Sequence, residues 1–364
     1  MLYRLAASMD MMRFQSRVVS LIEPGPMGRK LSDAGIRVDS LGMRRGIPSP
    51  AGLIRLVRLI RSWQPDVVQT WLYHADLAGL IATRLAFPLG KGPKVAWNLR
   101  CSFMALDEYR RLTGVTLKAC SALSGLPDVV VTNSHEAARF HGQLGYAPKR
   151  FEVIPNGFNV DRFAPDSEAR WQVRDELSIS QDALVIGHVA RFDAMKDHRT
   201  MIRAAALATR DCHPIFVFTG RGVDYDNLEL ATWMAEAGLD SDRVRLLGER
   251  NDIPRLMAAM DIHVSSSTGE SFPNVVGEAM ASGVVNIVTD VGDSARLVGD
   301  TGQVVPPADP KALGRAIARM GALPAQERKA RAQACRERIR EQYSLPAIVE
   351  RYEALYEKLV GNNL

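Results

Sequence analysis

Cysteine, aromatic residues and long apolar runs are all scarce in this chain of 364 residues. The four cysteines, at positions 101, 120, 212 and 335, form no C-x-x-C pair, so their spacing favours neither a zinc site nor a disulfide framework. No apolar run approaches the roughly 18 residues of a membrane span, and the first residues lack the layout of a secretory signal. We therefore expect a cytoplasmic protein of ordinary globular composition.

Two phosphate-binding motifs are missing as well. The chain contains neither G-x-x-x-x-G-K-[ST] nor a strand-linked G-x-G-x-x-G, which argues against P-loop and dinucleotide chemistry. It also lacks a nucleic-acid recognition motif and any basic stretch interleaved with aromatic residues. These absences exclude several common functions of an α/β protein and direct attention to charge and to strand ends.

Charge is divided unevenly between the two halves. Residues 1–165 hold 22 Lys plus Arg against 12 Asp plus Glu, and the remainder holds 24 against 29. This asymmetry suggests that the first half meets an anionic partner, such as a membrane surface or a lipid-linked substrate. In SPAGLIRLVRLIRSW, Ser49 and Pro50 suit a helix start, and an apolar stripe would lie beside Arg55 and Arg58. The alternative is an amphipathic helix that packs on its own sheet.

Short β-branched runs, such as DVVQTWL and ALVIGHV, alternate with helical patterns along the whole chain. This alternation predicts the α/β class, with parallel sheets covered by crossover helices. The polar segment 164–182 separates two series of runs, and one apolar-periodic helix follows the second series. We therefore predict two doubly wound, Rossmann-like domains, residues 1–164 plus 346–364 and residues 165–345. They would face a cleft, where such sheets bind ligands near their strand carboxyl ends.

Two glutamates, Glu270 and Glu278, are separated by seven residues in the segment ESFPNVVGE. Pro273 suits a first helical position and Gly283 suits the residue after the last turn, so Glu270 is predicted at the mouth of a helix. Unpaired N–H groups at such a mouth favour a phosphate. The pair could therefore hold a sugar nucleotide, with Glu270 on the sugar and Glu278 on the ribose. The alternative is two solvated glutamates that flank an ordinary helix.

Three other strand ends carry residues that suit a nucleotide. Arg191 and Lys196 follow the strand ALVIGHV, and two cations there suit a diphosphate, although isolated cations are more often surface charges. Gly220, in FTGRG, permits close backbone approach to a ligand or serves turn geometry alone. The turn at Glu249 and Arg250 could contact a nucleobase through its backbone groups.

Taken together, these motifs resemble those of the retaining glycosyltransferases of family four, which have the GT-B architecture. The resemblance covers nearly the whole chain, in family order: EVIPNGFNVDRF, HVARFDAMKDH, FTGRG, RLLGERNDIPRLMAAMDIHVSSS and ESFPNVVGEAMASG. It implies transfer of a sugar from a UDP- or GDP-sugar to an acceptor hydroxyl, with retained anomeric configuration and without a metal or cofactor. The implied acceptor is a glycan or a lipid-linked molecule, in polysaccharide, lipopolysaccharide or glycolipid synthesis at the inner membrane face.

The resemblance also implies roles for individual residues. Two glutamates of the family contact the donor sugar and the ribose, and an Arg and a Lys contact the diphosphate. The resemblance transfers these roles to Glu270, Glu278, Arg191 and Lys196. Our candidate catalytic residues are Glu270, Arg191 and Lys196, together with Arg100 and His74, which are chosen for their positions at strand ends. Our candidate donor-binding residues are Gly187, Arg191, Lys196, Gly220, Glu249, Arg250, Glu270, Ser271, Phe272, Pro273, Asn274, Val275 and Glu278.

The first half departs from the family pattern at two strand ends. Many relatives have a His at the end of the strand that here reads KVAWNLRCS, where this chain offers Leu99 or Arg100. Arg100 could serve the acceptor or a phosphate, or be an ion-paired framework residue. His74 opens a helix after DVVQTWLY and is either a second candidate or a structural residue.

The beginning of the chain also departs from the pattern. Relatives open with a strand and a glycine-rich loop, whereas this chain opens with a helical pattern, LYRLAASMD. We therefore expect the first domain to lack its first strand, and hypothesise that Met1 is a misassigned start or a truncation point. Two alternative functions remain, a nucleotide-sugar epimerase of the same architecture and an inactive binding or scaffold protein.

Overall fold

The computed structural model describes residues 1–44, 47, 49–102, 111–209 and 213–361, without the side chains of residues 111 and 112. Within these ranges the cysteines at 101, 120 and 335 are free thiols, and Cys212 lies outside them. No helix in these ranges is long and apolar enough to cross a membrane. The chain forms two compact units, one of Met1–Gly157 with the segment from Leu345, and one of Phe158–Ser344.

The division between the units lies at residue 157, whereas the sequence placed it at 164. The reason is the burial of Phe158 and Phe163, which are 0% and 4% exposed. Both pack in an apolar cluster with Phe272 and Val276 of the second unit. The short segment that contains them therefore belongs to the second core, although its own sequence is largely polar.

The second unit is built on a six-stranded parallel sheet of the described residues. Its strands are β7 (Val185–Val189), β8 (Ile215–Thr219), β9 (Val244–Leu246), β10 (Ile262–Ser265), β11 (Val285–Thr289) and β12 (Gln303–Val305). Their spatial order is β12-β11-β10-β7-β8-β9, so the first strand of the unit lies at the centre. This is the doubly wound order, and it confirms the predicted class.

Eight helices of the described residues accompany this sheet, and four of them begin at a side-chain cap. They are α7 (Ser167–Glu176), α8 (His198–Ala208), α9 (Leu228–Ala237), α10 (Ile253–Ala259), α11 (Asn274–Ala281), α12 (Ser294–Val298), α13 (Pro310–Ala322) and α14 (Ala325–Gln342). Asp166 Oδ1 accepts from Ala169 N at 2.9 Å at the start of α7, and Asp197 Oδ1 accepts from Thr200 N at 3.0 Å in α8. These caps satisfy N–H groups that the helix itself leaves unbonded.

The first unit contains two separate parallel sheets among its described residues. One has the order β1-β2 and the other the order β3-β4-β5-β6. The strands are β1 (Arg17–Ser20), β2 (Arg37–Ser40), β3 (Val67–Trp71), β4 (Lys94–Leu99), β5 (Val129–Thr132) and β6 (Phe151–Val153). The helices are α1 (Leu2–Ser8), α2 (Gly25–Asp33), α3 (Pro50–Trp63), α4 (Tyr73–Ala86), α5 (Arg111–Leu123), α6 (His135–Gln143) and α15 (Leu345–Gly361). The first element is therefore a helix, as expected.

Helix α3 starts as the sequence predicts, with Ser49 Oγ accepting from Gly52 N at 3.1 Å. Its apolar stripe packs inside the protein, because Leu56 and Ile60 are 7% and 4% exposed. Arg55 and Arg58 are exposed on the other side. The apolar stripe is therefore the inner face of an amphipathic helix, which is the second of the two interpretations given for this segment.

Candidate functional site

An ion pair joins two strand ends of the second unit. Lys196 lies in a 3₁₀ turn, Ala194–Lys196, after β7, and Glu270 lies in the loop after β10. The Lys196 ammonium donates to Glu270 Oε1, and the two side chains are only 18% and 12% exposed. The two loops are also bonded directly, since Ser266 Oγ donates to Lys196 O at 2.8 Å. Adjacent parallel strands thus place a cation and a carboxylate together at their carboxyl ends.

Residues that the sequence analysis did not single out hold Glu270 in place. Ser267 Oγ donates to Glu270 Oε1 at 2.9 Å. Thr289 Oγ1, at the end of β11, donates to Ser267 O. Gly292 lies so close that an added Cβ would sit 2.3 Å from Glu270 O. The serine run 265–267, at the end of β10, could have indicated from the sequence that hydroxyl groups lie near Glu270. The close approach of Gly292 could not have been predicted, because it depends on which strand lies next to β10.

The Glu270 loop leads into α11. Pro273 is the residue before the helix, with φ −80° and ψ 91°, and Asn274 is the first helical residue, so Pro273 lies one position earlier than predicted. Gly283 follows the helix with φ +72° and donates to Met280 O at 3.0 Å, as the sequence predicts for a glycine after the last turn. Glu278 lies one turn inside the helix and is half-buried.

The residues around the mouth of α11 differ in exposure. Asn274 is exposed, and Ser271 and Val275 are half-buried. Phe272 is 6% exposed and stacks on Phe158 with ring centroids 6.1 Å apart. Phe272 thus has a packing role in the core, whereas the backbone of its neighbours forms the helix mouth.

Arg191 follows β7 and is paired within its own loop. Its Nε and Nη2 donate to Asp193 Oδ2 at 3.0 and 2.8 Å, and its side chain is 49% exposed. Burial alone would raise the pKa of Asp193, but the Arg191 guanidinium and the Met195 N–H lower it overall. The Arg191 charge is therefore partly neutralised by a carboxylate two residues away.

Two glycines of the predicted set have clear packing reasons. Gly187 lies inside β7, where an added Cβ would meet Met260 Sδ at 2.0 Å. Gly220 follows β8 with φ +150°, and an added Cβ would lie 2.0 Å from Ala190 O. The second contact brings the backbone after β8 against the backbone after β7, next to Arg191.

The turn after β9 carries Glu249 and Arg250. Glu249 is exposed. Arg250 donates from Nε to Asp252 Oδ1 at 2.8 Å and from Nη1 to Glu176 Oε1 at 2.7 Å, and these two carboxylates raise its pKa. The Arg250 side chain is thus held in an ion-pair network that ties α7 to this turn.

Buried histidines lie behind the Lys196 loop. His188 of β7 makes an Nδ1 contact of 2.9 Å with Val264 O, and its ring lies 4.8 Å from that of His198, edge to face. Burial lowers the pKa of His188 well below the usual range and that of His198 to about 4. Burial also lowers the pKa of His263 in β10 to about 4. Neutral imidazoles therefore line the strands beneath the site.

The two candidates of the first unit occupy different environments. His74 is exposed in the first turn of α4. Arg100, directly after β4, donates to Asn156 Oδ1 and to Tyr352 OH at 3.3 Å, and its guanidinium lies 5.2 Å from the Trp71 ring centroid. Burial lowers the pKa of Arg100. The hydrogen-bond and ring partners of Arg100 named here are neutral groups.

A buried polar network also lies in the first unit, and the sequence analysis did not find it. Tyr73 OH lies 2.7 Å from His141 Nε2 and 3.1 Å from Cys101 Sγ, while Thr70 Oγ1 donates to Asp76 Oδ1. Burial raises the pKa of Asp76 well above its usual range. In the described part of the chain, no group of three or more His, Cys, Asp or Glu has the arrangement of a metal site.

Comparison with known families decides the affiliation. The family model Glycosyltransferase Family 4 matches residues 1–162, and the model Glycosyl transferases group 1 matches residues 183–322. The chain belongs to the group 1 glycosyltransferases of family four. The resemblance found in the sequence motifs is thereby confirmed.

Individual relatives are similar over part of their length. EpsF of Bacillus subtilis, a putative glycosyltransferase, is 35% identical over 157 residues, which are 43% of this chain and 40% of EpsF. An Escherichia coli UDP-Gal:alpha-D-GlcNAc-diphosphoundecaprenol alpha-1,3-galactosyltransferase is 25% identical over 251 residues, 68% of this chain and 63% of that enzyme. The matches therefore span about 40% to 63% of the length of these relatives.

Solved structures share the fold over nearly the whole chain. The Anabaena protein HepE, crystallised in complex with UDP, matches with a TM-score of 0.82 and 22% identity, covering 98% of this chain and 95% of HepE. A glycosyltransferase from Rickettsia africae matches with a TM-score of 0.80 and 18% identity, covering 99% of this chain and 94% of that one. At sequence identities of 18% and 22%, this structural similarity shows a shared fold.

Proposed function

We propose that this protein transfers a sugar from a nucleotide-sugar donor to an acceptor hydroxyl with retention of the anomeric configuration. The observation that carries the proposal is the Lys196–Glu270 pair at the carboxyl ends of β7 and β10, just before α11. Family membership supports the reaction class. HepE, which has the same fold, is described in complex with UDP-glucose, which makes UDP-sugars the first donors to test.

In this proposal the donor diphosphate lies between Lys196, Arg191 and the mouth of α11. An ammonium has three N–H donors, and Glu270 takes one of them, so two can meet phosphate oxygens. Negative charge builds on the diphosphate as the glycosidic bond breaks, and fixed cations and helix N–H groups stabilise it most at that point. In this proposal these groups stabilise the diphosphate charge without a divalent ion. Glu278 would bind the ribose.

Glu270 is assigned a positioning role on the donor sugar. Its carboxylate is held by Lys196 and Ser267, which suits acceptance of sugar O–H groups. A carboxylate neutralised in this way is a poor nucleophile, so attack on the same face as the departing phosphate, without an enzymic nucleophile, is the proposed path. Nuclear magnetic resonance of the product would check it, because retention gives the same anomeric configuration as the donor.

A lipid-linked or glycan acceptor is the proposed partner of the first unit. The E. coli relative is named for action on a diphosphoundecaprenol-linked sugar. Arg100 is a cation with neutral hydrogen-bond and ring partners, which suits an anionic group of such an acceptor. His74 is the second candidate there. The exposed Arg55 and Arg58 of α3 are the proposed contact with the inner membrane face, in polysaccharide, lipopolysaccharide or glycolipid synthesis.

Release of free nucleotide tests this function. The protein is incubated with UDP-, GDP- and ADP-sugars, with and without a diphospholipid-linked sugar acceptor, and with and without a chelator. We expect one donor to be consumed only with acceptor present and equally with chelator. Conversion of the donor sugar without acceptor would indicate an epimerase, and no reaction with any donor would favour a scaffold protein.

A further inference from the structure

The backbone ladder between β7 and β10 ends before the strands do. Among the described residues it covers Ile186–Gly187 on β7 and Ile262–His263 on β10, and it stops two residues short of the end of each strand. Beyond that point other bonds must set the distance between the turn that carries Lys196 and the loop that carries Glu270. Those bonds therefore decide how precisely the ion pair is placed.

Ser266, the first residue after β10, reaches the Lys196 turn with its side chain. Its Oγ donates to Lys196 O at 2.8 Å and lies 3.1 Å from Asp197 O. A hydroxyl has one hydrogen to donate, so two successive carbonyls of the turn share it. Because Ser266 is 0% exposed, bulk water does not compete for this hydrogen.

The turn that Ser266 contacts has an uncommon backbone. Asp197 adopts left-handed angles, φ 45° and ψ 56°, which residues other than glycine, asparagine and aspartate seldom adopt. Its Oδ1 caps α8 at Thr200 N, and its carbonyl lies near Ser266 Oγ. A backbone in such a region persists only where its surroundings fix it. These two bonds therefore help to define where the turn lies.

The chain around Ser266 is anchored by bonds of its neighbours. Thr289 Oγ1, at the end of β11, donates to Ser267 O. Thr268 N donates to Met195 O at 2.8 Å, at the middle of the 3₁₀ turn. Ser266 thus lies in an anchored segment, and its hydroxyl fixes the turn one residue beyond that backbone bond.

We propose that Ser266 is a positioning residue for the ammonium of Lys196. It acts on the Lys196 carbonyl, at the base of the side chain whose ammonium donates to Glu270. The inference rests on the proposed function, in which Lys196 stabilises charge on the departing diphosphate. A cation contributes most to that step when it is already in place and needs no reorganisation as the charge develops.

The two serines that flank the ion pair have different partners. Ser267 bonds to the Glu270 carboxylate at 2.9 Å, whereas Ser266 bonds to the backbone of the turn. With both bonds present, the Lys196 side chain is held at its base and at its tip. Without the Ser266 hydroxyl the ammonium still pairs with Glu270 and still meets a diphosphate, but its base is less precisely fixed. Misplacement of about 1 Å can lower a rate by about 100-fold.

Ser266→Ala tests this proposal in the nucleotide-release assay, with the donor concentration varied. We expect kcat to fall by about 10- to 30-fold, with the KM for the donor changed by less than about threefold, because the lost effect belongs to the transition state. Ser266→Cys should behave in the same way, since a thiol is a weak donor of similar size. It serves as the second variant where the alanine variant does not fold.

The matched control removes a hydroxyl from another part of the second unit. Thr301 Oγ1 donates to Val298 O at 2.7 Å, after α12 and before β12. Thr301→Ala therefore also removes a hydroxyl-to-carbonyl bond, and it should keep the wild-type kcat.

A double-mutant cycle with Lys196→Ala separates positioning from a general loss of structure. If Ser266 acts through Lys196, Ser266→Ala should change the rate by less than about twofold once Lys196→Ala is present. A merely structural role would lower the rate by the same factor in both backgrounds. Single-turnover measurements at high enzyme concentration follow the slowest variants.

Three results would overturn the inference while leaving the donor site intact. They are a wild-type kcat in both Ser266 variants, a loss confined to KM, and equal losses with and without the Lys196 side chain. Failure of the proposed function looks different. A wild-type rate in Lys196→Ala, or no consumption of any UDP-, GDP- or ADP-sugar, would contradict the donor site itself and the inference with it.

Discussion

Both units are built on parallel strands, but the second has one six-stranded sheet, whereas the described residues of the first form two separate sheets. In the second unit the central strand β7 is buried along nearly its whole length, as are β8, β10 and β11. In the first unit β4 and β5 are buried, whereas β1 and β3 are only partly covered. The difference shows what a central strand provides. The loop after the buried central strand β7 supplies Arg191 and Lys196 of the candidate site.

The largest effect should follow from removing the ion pair of the second unit. Lys196→Ala or Glu270→Ala should each lower the transfer rate by about 100-fold or more, because a group that stabilises transition-state charge or orients the sugar is lost. Initial rates of nucleotide release at saturating donor measure this effect.

Matched controls come from exposed charges of the same unit. Lys311→Ala, on α13, and Glu236→Ala, whose carboxylate pairs with Arg199 at 3.3 Å with 56% side-chain exposure, should retain full activity. Rates near that of the wild type in both ion-pair variants would contradict the assignment of the donor site to this unit.

A pair of glycine substitutions compares packing in the two units. Gly277→Ala should destabilise the second unit by about 1–3 kcal/mol, because the new Cβ would lie 2.0 Å from Phe158 Cζ. Gly142→Ala, in α6 of the first unit, has nothing within 4 Å of its new Cβ and should be neutral or stabilising by up to about 1 kcal/mol. Urea unfolding followed for each unit separately measures both, and equal shifts would contradict the packing.

The second unit should be the more sensitive to acid. His198 and His263 have pKa values of about 4, below the unfolded value, so the unfolded chain binds more protons between pH 6.5 and 4 and stability falls as the pH falls through that window. Each should cost about 2 kcal/mol between pH 7 and pH 5. His263→Asn should flatten this slope, as measured by unfolding at several pH values. An unchanged slope would show that His263 does not remain neutral in the folded protein.

The smallest effect should come from the residue that holds Glu270. Ser267→Ala removes one hydrogen bond to a carboxylate that Lys196 still holds, so the transfer rate should fall by about tenfold or less. Thr232→Ala, which removes a hydroxyl bonded to Leu228 O at 2.8 Å on α9, is the control. A loss as large as that of Glu270→Ala would mean that Ser267 acts on the substrate itself.

Local sequence signals predicted much of this architecture. The strand and helix alternation gave the α/β class, Ser49 and Pro50 gave the start of α3, and Gly283 gave the end of α11. The sequence predicted that Lys196 and Glu270 each follow a strand. It could not predict that their side chains pair, because that contact depends on which strands are neighbours. Strand order is a property of the whole sheet.

Contacts between distant segments explain what the sequence did not predict. Phe272 lies in a motif of predicted ligand contacts, yet it stacks on Phe158 more than a hundred residues away. Arg250 is tied to Glu176 of α7, and Gly187 makes room for Met260. In each case the partner is distant in sequence, so that composition and spacing around the residue carry no sign of it.

Calorimetric titration with nucleotide sugars is the most direct test of the central claim that the second unit binds the donor through the Lys196–Glu270 pair. We predict that at least one of UDP-, GDP- or ADP-glucose binds the wild-type protein, and that Lys196→Ala weakens this binding by about tenfold or more. Equal binding by the variant, or no binding of any nucleotide sugar by the wild-type protein, would contradict it.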